Sequence, residues 1–244
     1  MCDDSDPLIF DECDVPTHAP LTMNVIYINL KHRIDRKTSI LKEIEKINGV
    51  PHHIDAVLNT KCGHIGCGES HILALEYAIQ HNFEHVMILE DDFVWMDTDF
   101  SKCMSIPWDV LLLSKVHNWN KPSRYDFLER ACHATTASGY IIRRHYYSTL
   151  LENFKESVEK MKAELKRHEE NCIKENSPFT KLNYCSAIDQ HWFSLQDKDI
   201  FYTFPIGKQG SFWSDNNCSE QDQLSKIYEI HKETHHDKEE DNYK

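Results

Sequence analysis

A run of four apolar residues, Val86-Met87-Ile88-Leu89, ends in three consecutive carboxylates, Glu90-Asp91-Asp92. The run is too short for a helix and rich in branched side chains, so it reads as a buried strand. Three adjacent charges at the end of such a strand are costly unless they leave the core together and meet a cation. In open α/β sheets, ligands bind in the crevice beyond the carboxyl ends of the strands. Oxygen ligands suit hard divalent ions such as Mn²⁺ or Mg²⁺, and an ion of that kind commonly bridges phosphate groups. The motif reads as a site for a metal–diphosphate. A solvated acidic turn is the alternative that these residues alone leave open.

The flanking pattern supplies a frame for that strand. Residues 25–30 read as a first strand and 35–47 as an amphipathic helix, with Ile40, Leu41, Ile44 and Ile47 at helical spacing. A short strand is expected over 53–57. A helix is expected over 70–81, after the small-residue segment Gly63 to Gly68. Further strands are expected over 109–113, 138–142 and 200–204, the last closed by Pro205. Residues 144–154 begin a helical region, and 155–176 form a charged stretch with Val158, Met161, Leu165 and Cys172 on one stripe. A short helix is expected over 187–195. Strands alternating with helices predict an α/β sheet with helices on both faces, not necessarily wholly parallel. At 244 residues a single domain is the default. Residues 1–22 are acidic, carry three prolines and read as an extended arm. The domain is expected over 23–217, with a charged tail over 218–244.

Charge and cysteine usage narrow the partners. A formal charge of −13 makes the chain a poor ligand for nucleic acid or an anionic membrane. The nine cysteines are odd in number, scattered and free of any CxxC pair. No N-terminal stretch reads as a signal peptide and no apolar run approaches 18 residues, so no membrane span and a reducing, cytoplasmic setting are expected. Cys62, His64 and Cys67 have ligand chemistry but lack a matching second pair, so buried free thiols are the reading taken.

Three further groups of residues bear on an anionic ligand. Asn29 closes the first strand, and Arg33 and Arg36 follow just beyond it, where arginine can grip phosphate bidentately. Surface arginines at a helix start are the plainer account. The segment from Gly63 to His71 reads as a small-residue loop entering a helix, open to close approach by an anion, though it is neither a Walker loop nor GxGxxG. Asp189 stands at the start of a late helix. It is a helix cap or, with a metal site elsewhere, a general base. His64 and His71 read as buried histidines bonded to backbone, and neither is assigned as a ligand.

In chain order these blocks are Asn29-Leu30-x-x-Arg33-x-x-Arg36, Gly63-x-x-Gly66-Cys67-x-x-Ser70-His71, Leu89-Glu90-Asp91-Asp92, Trp108-Asp109, Ser138-Gly139-Tyr140, Ile188-Asp189, and Pro205 with Gln209 and Ser214-Asp215. The series resembles glycosyltransferase family 25, which includes lipooligosaccharide and procollagen galactosyltransferases. The resemblance runs from about Val25 to Asp215. It implies a GT-A-type, Rossmann-like nucleotide-binding sheet and a UDP-sugar donor. It also implies Mn²⁺ (or Mg²⁺) held on the diphosphate by Glu90, Asp91 and Asp92, with Asp92 the best direct ligand and Asp91 beside it. Asn29, Arg33 and Arg36 would lie near the nucleotide. The family inverts, so a base is needed. Asp189 is the first choice, with Glu69 and Asp215 next. The expected reaction moves galactose or glucose to a hydroxyl of a glycan, a lipid-linked sugar or a collagen-like hydroxylysine. A compact member without a secretory signal would suit a microbial cytoplasm, or a host cytoplasm if viral. A metal-dependent phosphohydrolase or nuclease, and a non-catalytic nucleotide-sugar binding module, are the competing classes.

Overall fold

The structure, a computed structural model, describes residues 22–114, 120–177, 186–210, 212–214 and 219–221. Almost all of the expected arm and tail, and Asp215, lie outside these residues. The chain runs β1 (Asn24–Asn29), α1 (Ile34–Glu45), β2 (Val50–Asp55), α2 (Gly63–Gln80), β3 (His85–Glu90), β4 (Phe93–Trp95), α3 (Ser101–Met104) and β5 (Val110–Leu112). It continues through β6 (Asn120–Pro122), β7 (Glu129–Ala131), β8 (Gly139–Arg143), α4 (Tyr147–Lys174), α5 (Ile188–His191), α6 (Phe193–Gln196), β9 (Phe201–Thr203) and β10 (Gly207–Gln209). Two short strands, β11 (Phe212–Ser214) and β12 (Ser219–Gln221), pair antiparallel after it.

Eight strands form one mixed sheet in the order β2-β1-β3-β8-β5-β9-β7-β6. β1 lies parallel to both β2 and β3, and β5 lies parallel to β9. β8 runs against β3 and β5, so the sheet is α/β but not wholly parallel. The path from β1 goes out to β2 and returns past it to β3. The crevice at the carboxyl ends of β1 and β3 is therefore a topological switch point.

Strand alternation divides the core. Ile26, Ile28, Val86 and Ile88 face one side and pack with Leu75, Leu150, Phe154 and Trp192 from α2, α4 and the turn after α5. Val25, Tyr27, Met87 and Leu89 face the other side and pack with Ile40 and Ile44 of α1. Helices thus cover both faces, as the alternating pattern predicts.

Two local expectations are corrected, and the helical reading of 144–176 is sharpened. The segment Gly63 to His71 is not a loop: α2 begins at Gly63 and runs unbroken to Gln80. Its glycines serve close packing. A Cβ on Gly66 would stand 2.4 Å from the Val57 carbonyl oxygen, and one on Gly68 would stand 2.7 Å from the Val158 side chain. The stretches 144–154 and 155–176 merge into the 28-residue α4, because the buried stripe of Leu150, Leu151, Phe154, Val158, Met161 and Leu165 continues through both. β2 starts at Val50 rather than His53 despite Pro51. It is one of the sheet's two outer strands, where a missing N–H is tolerated.

Candidate functional site

The carboxylates emerge where β3 ends, and the pleat separates them. Glu90 continues the side of the sheet that carries Val86 and Ile88, so it meets α2. Asp91 turns to the side covered by α1. β1 pairs with β3 so that Ile28 lies opposite Glu90, which brings Asn29 beside Asp91. Asn29 Nδ2 donates to Asp91 Oδ2 at 2.7 Å and to the Arg33 carbonyl at 3.0 Å. From α1, Arg36 Nη1 donates to Asp91 Oδ1 at 2.7 Å, and its Nη2 stands 3.7 Å from Asp92 Oδ2.

Both oxygens of Asp91 are therefore engaged within the protein. Asp92 differs: its Oδ1 is buried without a hydrogen-bond partner. Burial pushes its carboxyl up to about 8, with Glu90 and Asp91 adding to the rise and Arg36 opposing it. Burial likewise raises Asp91 against the pull of Arg36 and Asn29. An acidic group strained in this way, with an unshared hard oxygen, fits a divalent cation.

Glu90 is held by α2. His71 Nε2 lies 3.2 Å from Glu90 Oε1, and Cys67 Sγ donates to the same oxygen at 3.3 Å. His71 is fully buried, and its Nδ1 lies 3.1 Å from the Tyr140 hydroxyl of β8. Burial favours the neutral acid at Glu90, but the hydrogen bond and charge of His71, with Cys67 and Arg36, outweigh it and hold the carboxyl below its ordinary value. His71 is thus bonded to two side chains and not to backbone, which corrects the expectation for it. Its neighbour Ser70 accepts from the Val57 N–H at 2.8 Å and donates to the Gly66 carbonyl at 2.6 Å, tying the segment after β2 to α2.

Asn29, Arg36, Cys67, Ser70 and the three carboxylates line an open cleft enclosing about 120 Å³. Its wall also includes Val57, Gly63 at the start of α2, and Gln209 of β10. Gln209 arrives because β10 pairs with β4, the strand that follows Asp92, and Gly210 N–H donates to the Asp92 carbonyl at 2.6 Å. Arg33 is not in this wall. Its guanidinium lies along α1 on Asp35, with contacts of 3.0 and 2.8 Å.

Asp189 is not the cap of α5. Ala187 holds that position, and the Asp189 carboxylate instead accepts the Thr136 N–H at 3.1 Å. Thr136 has φ of 83°, a strained conformation for a β-branched residue. The loop that carries it is pinned at Ala134, which exchanges hydrogen bonds of 2.8 Å with Gln196 and accepts one from Trp192 at 2.9 Å. Trp192 is a fully buried core residue whose ring meets Tyr140 edge-on at 6.0 Å. Burial raises the Asp189 carboxyl, and the charge of Glu90 adds to the rise while His64 opposes it. Asp189 is thus within electrostatic reach of the Glu90 end of the cleft. Glu69, the second choice for a base, faces α4 and pairs with Lys162 at 3.0 Å.

Cys67, His71, Tyr140 and Gln209 stand in the motif series without a role, and the structure brings them to Glu90 or to the cleft wall. A signal existed for two of them: Cys67 and His71 are four apart, one turn of helix, so they share a face.

No protein-family model matches the chain, and no curated protein matches it. Solved structures do show likenesses, three of them at 8% sequence identity. A Drosophila β1,4-galactosyltransferase 7 mutant, solved with manganese, UDP-Gal and xylobiose, gives a TM-score of 0.32 over 53% of this chain and 52% of that one. The chain thus spans about half the length of that protein. A mannose-1-phosphate geranyltransferase of Thermus thermophilus gives 0.42, covering 77% and 75%. A glycosyltransferase involved in glycosylation of the major capsid of PBCV-1 gives 0.38, covering 75% and 92%. Likenesses this loose assign neither family nor activity to the chain.

Proposed function

We propose that the chain is a metal-dependent glycosyltransferase of the GT-A type, similar to family 25, that moves a hexose from a UDP-sugar to an acceptor hydroxyl with inversion. The observation that carries the reading is Asp92 Oδ1, a buried carboxylate oxygen without a partner, at the switch point between β1 and β3. Asp92 would hold Mn²⁺ (or Mg²⁺), which when bound supplies Lewis-acid stabilisation of the departing diphosphate. Asp91, occupied by Asn29 and Arg36, orients the turn that presents Asp92. Glu90 keeps Oε2 for the donor, because Oε1 is the atom that Cys67 and His71 engage. Arg36 and the start of α2 offset the negative charge of a nucleotide diphosphate.

The base in this reading is Asp189. Inversion needs an acceptor hydroxyl to lose its proton as the new glycosidic bond forms, on the side opposite the leaving group. Asp189 comes from α5, apart from the carboxylates at the end of β3, and its raised affinity for a proton suits it to accept one. The donor is a UDP-hexose, glucose or galactose. The acceptor is a glycan, a lipid-linked sugar or a hydroxylysine-like residue.

The test is release of UDP from a panel of UDP-sugars, with and without those acceptors, in Mn²⁺ and in excess EDTA. Metal-dependent release that rises with one acceptor supports the reading. Release of inorganic phosphate from phosphate esters without sugar transfer would replace it with a phosphohydrolase. Tight UDP binding without turnover would leave a binding module.

A further inference from the structure

On its α2 side Glu90 belongs to a second cluster of ligand atoms. Cys67 Sγ, His71 Nε2 and Glu90 Oε1 all lie within 4.8 Å of one another. The sulfur is 3.3 Å and the imidazole nitrogen 3.2 Å from the carboxylate oxygen. A tetrahedral zinc site, with bonds of about 2.3 Å to sulfur and about 2.0 Å to nitrogen or oxygen, has ligand–ligand edges of roughly 3.3–3.5 Å. The two edges to Glu90 are already close to that, and the third lies within 4.8 Å.

The surroundings meet the other requirements of a metal site. Cys67 carries no disulfide. Cys67 and His71 project from one face of α2, a helix packed against α4, β1 and β2. A metal-bound histidine needs its second ring nitrogen held so that the ring is oriented, and Tyr140 holds His71 Nδ1 at 3.1 Å. Cys67 and Glu90 both line the cleft, so an ion has a path in. The set of one thiolate, one imidazole and one carboxylate is softer than the all-oxygen Asp92 site and selects a different class of ion.

We propose that Cys67, His71 and Glu90 hold a thiophilic divalent cation of the zinc class, at a site distinct from Asp92. Binding expels the thiol proton to solvent, and the ion replaces it between sulfur and carboxylate. A consequence rests on the proposed function: because Glu90 is shared with the donor cleft, zinc occupancy blocks Mn²⁺-dependent turnover. The binding itself does not depend on that function.

The test is titration of the full chain with Cd²⁺, and then Zn²⁺ competition, at fixed pH. A thiolate-to-cadmium charge-transfer band saturating at one equivalent is expected. Cys67→Ser should abolish it. Tyr140→Phe should weaken binding roughly 10-fold, the usual effect of losing the group that orients a ligand. Asp92→Asn should keep the band. So should Cys172→Ser, whose thiol lies 3.7 Å from His168 on α4 and is the rival pair. Alkylation mapped by mass spectrometry needs no variant: one equivalent of Zn²⁺ should protect Cys67 of the unmodified chain. A band that survives Cys67→Ser, or Cys67 alkylated equally with and without Zn²⁺, overturns the site. If protection is seen but no UDP-sugar is turned over under any condition, the site stands and the glycosyltransferase reading falls.

Discussion

Asn29 and Asp91 are 62 residues apart in sequence and joined by a 2.7 Å hydrogen bond at the ends of two parallel strands. With Arg36 on its other oxygen, both oxygens of Asp91 are already hydrogen-bonded within the protein. Within Glu90-Asp91-Asp92 the middle carboxylate is thus the one tied to both β1 and α1, while Asp92 Oδ1 has no hydrogen-bond partner.

Asp92→Asn is expected to remove at least roughly 10² of kcat while the protein stays folded, because the interaction lost is made with charge developing at the leaving group. The fold does not depend on a charge at Asp92, since asparagine resembles the protonated form that burial already favours. UDP-release kinetics with a thermal melt separate the two effects. Full activity in this variant would remove Asp92 from the metal site.

Stability should fall as pH rises in the metal-free protein. The Asp92 carboxyl sits at about 8 in the folded chain against an ordinary value of 3.8. Between those values the folded state binds more protons than the unfolded one, so each step up in pH costs stability, and the loss ends near pH 8. Asp91 and Asp189, also raised, act in the same direction, and Glu90, lowered, acts against them. Mn²⁺ binds the ionised carboxylate, so the rise in Tm on adding Mn²⁺ should be larger at about pH 7.5 than at about pH 5.5. Melting curves at both pH values in EDTA and in Mn²⁺ check this. A Mn²⁺ effect independent of pH would count against it.

Asp189→Asn should lower kcat by roughly 10²–10⁴ and leave UDP affinity intact. Asparagine can still accept the Thr136 N–H, so Tm should move little. A variant that is destabilised yet turns over normally would confine Asp189 to holding the Thr136 loop.

Gly66→Ala has a sign that discriminates. In an open helix alanine is worth about 1 kcal/mol over glycine. Here the new methyl would meet the Val57 carbonyl at 2.4 Å, so a net loss of about 1–3 kcal/mol is expected in chemical denaturation. The displaced Val57 lines the cleft, so KM for the donor should rise as well.

Much of the framework is legible in local sequence. The apolar runs over residues 25–30 and 86–89, and the helical stripes of α1 and α4, depend on each residue's immediate neighbours, and there strand, helix and the α/β class can be read directly. The position of three carboxylates at the end of a buried strand is local too, and it marks the cleft. Where residues choose partners across the chain, only the tertiary structure decides. Gly63 to His71 looks like a loop because glycine disfavours helix, but close packing against Val57, Val158 and Ile188 demands glycine inside one. Arg33 and Arg36 look equivalent three residues apart. The turn of α1 sends one to Asp35 and the other to Asp91. His71 meets Glu90 rather than backbone because the pleat of β3 aims Glu90 at α2 and Asp91 at α1, and that register is set by pairing with β1, far away in the chain.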